Sequence, residues 1–151
     1  MSEAKKMEAC FDRLWPIMRS ITGEGVRQTH DILSEFVNLN RTEVPTNTQI
    51  FDWTIPKEWV FRKAHVTGPD GTRIIDAAVN NLSIMNYSEP YQGEVSLEEL
   101  DKHLYSRPSL PNAIPYVTSY YKKRWGFCLP HTLREKLPKG QYKVVVDTDL
   151  T

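Results

Sequence analysis

Residues 59–79 read WVFRKAHVTGPDGTRIIDAAV. Two apolar-rich runs, WVFRKAHV and TRIIDAAV, flank the five residues TGPDG at 67–71. Pro69 presets one backbone angle and Gly71 tolerates a left-handed one, so the spacing predicts a β-hairpin. The same character continues to the end of the chain. TQIFDW (48–53), NLSIMNY (81–87), IPYVTSYY (114–121), WGFCL (125–129) and YKVVVDT (142–148) read as further strands. SLEELDKHLY (96–105) reads as a short helix, with Ser96 as its cap and Glu99 completing a capping box. PHTLREKL (130–137) reads as a second. Ten prolines, mostly between these elements, fit a sheet with defined corners.

Upstream of about residue 50 the pattern changes. Met7, Phe11, Leu14 and Met18 step by three or four, the spacing of one helix face. Pro16 interrupts that stripe and is expected to kink the helix or end it. SITGEG (20–25) breaks it, with Thr22 as a candidate cap for the next helix. Val26, Thr29, Leu33, Phe36 and Val37 form a second stripe. Two helices joined by a tight turn bury little surface alone, so their apolar faces call for a partner. The fold class expected is α+β: an N-terminal helical pair, then a compact β-rich, sandwich-like domain with two short helices.

Composition narrows the function. Nineteen Lys and Arg balance nineteen Asp and Glu over 151 residues, which lacks the basic excess that nucleic-acid binding needs. No run approaches the ~20 apolar residues of a membrane span. The N-terminus, MSEAKKMEACFDRLW, is charged and has no apolar signal core, so the chain reads as cytoplasmic, with Cys10 and Cys128 as free thiols.

The chemistry candidates are few. His30, His65, His103 and His131 include no pair at the i, i+4 spacing of a zinc-protease helix, and no Cys-x-x-Cys occurs. No catalytic residue and no metal ligand is therefore assigned. TGEGV (22–26) precedes a helix, and helix N-termini bind anions, but it lacks the Lys-Ser/Thr ending of a phosphate loop. Arg19 and Arg27 flank this corner and, with Thr22, are candidates for a carboxylate or phosphate contact. Cys128 with His131 invites a cysteine-hydrolase reading, yet Cys128 lies in an apolar run where burial is the ordinary fate of an unpaired cysteine. Trp53, Tyr120, Tyr121 and Trp125 are the aromatic contact candidates, with Tyr120 and Tyr121 pointing to opposite sides if both lie in one strand.

Four blocks carry a resemblance: LWPIMRSITGEGVRQTHDIL (14–33), VPTNTQIFDWTIPKEWVFRKAHV (44–66), NLSIMNYSEP (81–90) and IPYVTSYYKKRWGFCL (114–129). In this order they resemble the N-terminal part of a prokaryotic family of zinc-aminopeptidase-like proteins. The resemblance implies a longer protein with an α/β peptidase-like domain, a small β-rich domain of unknown function inserted near its N-terminus, and a C-terminal winged helix. It implies association with polysaccharide biosynthesis genes. Residues 1–50 would be the opening of the peptidase-like domain and 51–151 the insert. The family's zinc segment, a His-x-Cys-His-Pro-like stretch followed by Asn-Asp, would lie beyond Thr151, so no ligand carries over to a residue here.

The expectation is thus an N-terminal portion of a zinc-aminopeptidase-like hydrolase, inactive alone, holding no cofactor itself, whose insert gates or contacts the peptidase cleft. Its partner would be the downstream peptidase domain, or another copy through helices in 1–38, with a peptide-like substrate as an option. The alternatives are a stand-alone β module binding a peptide or glycan, and a cysteine hydrolase using Cys128 and His131.

Overall fold

The computed structural model describes residues 2–151. They form two compact units: one runs to Val60 and takes in Leu150 and Thr151, and the other is Phe61–Asp149.

The first unit holds the helical pair. Helix α1 (Glu3–Leu14) starts at Ser2, whose hydroxyl accepts the Lys5 N–H. It ends at Trp15 because Pro16 has no N–H to continue the ladder. Met18, expected on the same helix face, therefore lies past the helix. Helix α2 (Glu24–Leu33) stops before Phe36 and Val37. Arg13 binds Glu35 through two hydrogen bonds of 2.6 Å. Neither helix contains a buried residue. The expected strand TQIFDW is instead a small antiparallel hairpin, β1 (Gln49–Ile50) and β2 (Trp53–Thr54). The chain reverses at Phe51, which sits at φ 52° with its side chain 95% exposed.

The second unit is built on a four-stranded sheet. Its strands are β3 (Trp59–Thr67), which starts before the division at Phe61, β4 (Arg73–Asp76), β5 (Tyr91–Ser96) and β8 (Gln141–Leu150), in the order β4-β3-β8-β5. The hairpin expected from TGPDG is β3–β4. Gly71 takes φ 83°, and the Asp70 carboxylate accepts the Thr72 N–H at 2.9 Å, an Asx turn. Along β8, Tyr142, Val144, Val146 and Thr148 are buried while Gln141, Lys143 and Asp149 are exposed, the period-two pattern of a half-covered sheet. Strand β5 pairs antiparallel with β8 from Tyr91↔Val146 to Ser96↔Gln141, so Val95 lies opposite Tyr142 on the core side.

Helix α3 (Leu97–Asp101) follows β5 directly, and the Ser96 hydroxyl caps it by accepting the Glu99 N–H, while the Glu99 carboxylate takes Lys102 at 2.6 Å. Leu100 anchors it with no exposed surface. Strands β6 (Leu104–Tyr105) and β7 (Phe127–Cys128) pair in parallel, and α4 (His131–Arg134) follows β7. The α+β class holds, and both short helices lie inside the expected segments but are shorter; Leu104 and Tyr105, expected at the end of the first, form strand β6 instead.

Two strand expectations need correction, and one strand went unforeseen. NLSIMNY is a 3₁₀ turn over Asn81–Ser83, after which Ile84 and Asn86 make only isolated bridges to Phe127 and Thr118. The Asn80 side chain accepts the Leu82 N–H and so favours a turn over a strand. IPYVTSYY is irregular apart from the bridge at Thr118. Strand β5, YQGEVS, was not expected, because its central Gly93 and polar Gln92 and Glu94 weaken the strand signal.

The two units differ in burial. Every buried apolar side chain among the described residues except Trp59 belongs to the second unit. The glycine at α2's start has a specific steric role: a Cβ on Gly25 would lie 2.2 Å from the Met18 carbonyl oxygen and 2.9 Å from Arg19 Cα. Gly25→Ala should therefore destabilise the first unit, although alanine in a helix ordinarily gains about 1 kcal/mol over glycine. Circular dichroism of the variant should show lost helix content; a gain in helicity would contradict the clash.

Candidate functional site

The residues singled out from the sequence fall in two places, described separately. Arg19, Thr22, Arg27 and Trp53 belong to the first unit; Tyr120, Tyr121 and Trp125 belong to the second.

At the SITGEG corner, Gly23 takes the N-cap position of α2 at φ 95°, where no side chain caps the helix. Thr22, the cap expected from the sequence, does not fill that role: its hydroxyl is buried without a partner, as is that of Ser20. Arg19 points back, donating to the Leu14 carbonyl at 2.9 Å and to Thr29 Oγ1 at 3.3 Å. Arg27 is held by two carboxylates. Its Nη1 and Nη2 donate to Glu58 at 3.2 and 2.5 Å, and its Nε donates to Glu43 at 2.7 Å. These bonds, Glu58 first, raise the guanidinium further above its ordinary pKa. The corner thus already contains an anion for its arginine. Trp53, 42% exposed on β2, stands near the open tip at Phe51.

In the second unit the loop between β6 and β7 brings the aromatics together. Tyr121 is 82% exposed and Tyr116 62%. Tyr120 is half-buried, its ring edge-on to buried Tyr87 at 5.5 Å and its hydroxyl 3.0 Å from that of Tyr116. Desolvation, then this hydrogen bond, pushes the Tyr116 phenol up to about 12. Asn86 anchors the loop: its N–H donates to the Val117 carbonyl and its carbonyl accepts the Ser119 N–H, both at 2.9 Å. Of the three consecutive cations, Arg124 turns inward. It donates to the Thr118 carbonyl at 3.0 Å, Ser119 Oγ at 3.2 Å and Tyr105 Oη at 3.3 Å. Lys122 and Lys123 stay exposed. The sequence did not separate Arg124 from its neighbours, since nothing local distinguishes an inward-turned arginine. Tyr116 was not among the aromatic contact candidates read from the sequence.

Trp125, expected among the exposed aromatics, is buried. Its ring stacks with His103 at 3.7 Å and with Tyr91 at 4.3 Å, and its carbonyl lies 3.0 Å from His103 Nδ1. Cys128 has no exposed surface, and desolvation pushes its thiol up to about 12, so it is a protonated core residue at neutral pH. His131 Nδ1 meets Ser106 Oγ at 2.9 Å, and Arg134, beside it on α4, donates to Asp101 at 2.7 Å. These bonds tie α4 to the corner between α3 and β6. A cysteine nucleophile with His131 as its base does not fit this geometry.

The outer face of the four-stranded sheet carries a shallow depression of about 560 Å³, lined by Arg62, Lys63, His65, Gln92, Asp147 and Asp149 among others. Arg62 is neutralised there by Asp147 at 2.5 Å and Asp149 at 2.7 Å. Desolvation, with help from Arg73 and Lys63, lowers the His65 pKa, so this imidazole is neutral at pH 7. Among the described residues no group of three or more His, Cys, Asp and Glu side chains is placed so that it could hold a metal ion. No helix among them is long and apolar enough to cross a membrane.

Two outcomes are expected. The native thiol of Cys128 keeps its proton while the unfolded one ionises near 8.5, so its contribution is complete below that pH and is lost as pH rises toward 12. Between pH 8.5 and 10 the chain should lose about 2 kcal/mol of unfolding free energy through this group. Cys128→Ala should flatten that slope in urea titrations; an unchanged slope would contradict it. Arg124→Ala should cost about 2–3 kcal/mol and open residues 115–124 to limited proteolysis, because a charged donor with three acceptors is lost.

Comparison with known proteins agrees with this architecture. Residues 58–149 match the family described as Domain of unknown function (DUF2172). A Clostridium acetobutylicum protein, provisionally named a polysaccharide biosynthesis protein with aminopeptidase-like domain, is 44% identical over 140 residues. That alignment covers 93% of this chain and 32% of the relative. A crystal structure from Clostridium acetobutylicum, provisionally described as a peptidase, superposes with a TM-score of 0.92 at 42% identity. It covers 97% of this chain and 35% of that one. The chain therefore spans about a third of the length of the relatives it matches. With its β-rich unit at Phe61–Asp149 inside the matched segment, the chain belongs to the DUF2172 family and is similar to about a third of a protein named for an aminopeptidase-like domain.

Proposed function

We propose that this chain is the N-terminal portion of a zinc-aminopeptidase-like hydrolase, and that its β-rich unit gates or contacts the peptidase cleft. The observation that carries the reading is the similarity over 93% of this chain to a relative named for an aminopeptidase-like domain, of which it spans only 32%. Burial supports it. The first unit exposes Met7 (73%), Phe11 (63%), Phe36 (51%) and Val37 (54%), and its two helices bury nothing. Apolar surface of this kind belongs against another body. The remainder of the peptidase-like domain is the body we assign to it.

A backbone detail supports the insert reading. Glu58 and Thr151 exchange both hydrogen bonds, N–H to carbonyl, at 2.8 and 3.0 Å. That exchange marks an antiparallel pair. The chain leaves for the second unit just after Glu58 and comes back at Leu150, so the two ends of the β-rich unit meet. Adjacent ends are what tolerated domain insertion needs. In this reading zinc is held by residues beyond those described here, the setting is cytoplasmic, and the 151-residue chain is inactive by itself.

The test is to purify the chain and measure its zinc content and its turnover of aminoacyl-p-nitroanilides. The expected result is substoichiometric zinc and no turnover. Stoichiometric zinc with turnover would overturn the assignment of chemistry to the remaining part. Light scattering gives a second readout: self-association that Phe11→Asp abolishes is expected if the exposed helical face seeks a partner, whereas a clean monomer of the parent chain counts against it.

A further inference from the structure

From Lys102 to Arg134 the chain contains no Asp or Glu, yet it carries Lys102, Arg107, Lys122, Lys123, Arg124 and Arg134. A chain of zero formal net charge thus gathers positive charge in one segment. Some of that charge is already used. Lys102 pairs with Glu99 at 2.6 Å, Arg134 pairs with Asp101 at 2.7 Å, and Arg124 is turned inward. Lys122 and Lys123 are exposed and make no ion pair among the described residues. Lys122 and Lys123 directly follow Tyr121, 82% exposed, on the same loop as Tyr116, 62% exposed.

The ledge is held in place before any ligand arrives. Tyr120 is fixed between buried Tyr87 and the Tyr116 hydroxyl, and Arg124 fastens Thr118 and Ser119 from inside. Pre-ordering of this kind lowers the entropy that binding would otherwise cost. The ring of Tyr121 offers a broad, stiff apolar face with a polar tip, and the paired Tyr116 and Tyr120 hydroxyls offer both donor and acceptor capacity.

We propose that Tyr116, Tyr120, Tyr121, Lys122 and Lys123 form a binding site for an acidic glycan, one that carries uronate carboxylates. The flat C–H face of a pyranose stacks on Tyr121, its hydroxyls meet the Tyr116–Tyr120 pair, and its carboxylates meet the two lysines. Single-stranded nucleic acid suits the site less. Successive bases need a stacking platform along a basic groove, and here the Tyr120 and Tyr121 rings stand at 85° with two free lysines next in sequence. An acidic peptide would use the lysines and leave the ring faces without a flat partner. This inference is independent of the peptidase-like reading.

The test is calorimetric titration of the full 151-residue chain with an alginate hexamer, with cellohexaose, polyglutamate and oligo-dT as comparison ligands. Binding of the alginate hexamer that weakens with salt and exceeds that of all three comparison ligands is expected. Tyr121→Ala should weaken it about tenfold, which corresponds to about 1.4 kcal/mol. The double variant Lys122→Ala/Lys123→Ala should bring it to the level of cellohexaose. Tyr121 is 82% exposed, so its variant should unfold at the parent denaturant midpoint. If it does not, Lys123→Glu provides the second arm and should abolish alginate binding. No alginate binding, equal binding of polyglutamate or oligo-dT, or an unchanged affinity in a folded Tyr121→Ala variant would each overturn the proposal. The titration involves no peptide substrate and no metal, so its failure leaves the peptidase-like reading as it stands.

Discussion

The sheet depends on β8, the last strand in the chain, lying between the β3–β4 hairpin and β5. Without it the hairpin is a two-stranded piece, marginal in water, and β5 has no ladder at all. Its four inward side chains, Tyr142, Val144, Val146 and Thr148, are at most 2% exposed and supply much of one wall of the core. Thr148 also donates to the Ser88 carbonyl at 2.9 Å, and Ser88 donates to the Met85 carbonyl, so the strand reaches the irregular segment after the 3₁₀ turn. The constraint is a long-range one. Residues near 60–76 and 91–96 become a sheet only when residues past 140 arrive between them.

From that centre the loop between β6 and β7 gets its support. Phe127 and Cys128 are buried completely, and Trp125 is stacked with His103 and Tyr91. The chain just before Trp125 is then tied by Arg124 and by the Asn86 backbone. An irregular segment thereby satisfies its polar groups through specific partners instead of a ladder, which a partly buried loop must do. The outcome is a segment with a buried C-terminal end and an exposed aromatic tip.

The first unit follows different rules. Its helices form from local signals: a Ser2 cap, a stop at Pro16, and a glycine pair that lets α2 begin against Met18 and Arg19. Their apolar stripes remain open, and the ion pairs of Arg13 with Glu35 and Arg27 with Glu58 and Glu43 supply much of the visible fastening. Such exposed pairs are each worth at most about 1 kcal/mol. The unit thus leaves apolar surface exposed in a chain that spans about a third of the length of the relatives it matches.

The hairpin at TGPDG, both short helices, the Ser96 cap and the helical pair were readable because each rests on residues within a few positions of one another. YQGEVS was not, since its strand character comes from pairing with β8 and not from Gln92, Gly93 and Glu94 themselves. IPYVTSYY misled in the opposite direction: its β-branched and aromatic residues suit a strand, but no neighbouring strand takes up its backbone groups beyond one bridge. For the candidate site, the sequence alone determined that Cys128 lies in an apolar run, that tyrosines and lysines cluster near 116–123, and that no metal motif is spelled out. Only the tertiary structure decided that Arg124 and Trp125 turn inward while Tyr121, Lys122 and Lys123 face solvent. Side-chain direction in an irregular segment has no period to read. It is set by which distant groups, here Asn86, Tyr87, Tyr91 and His103, are brought against it.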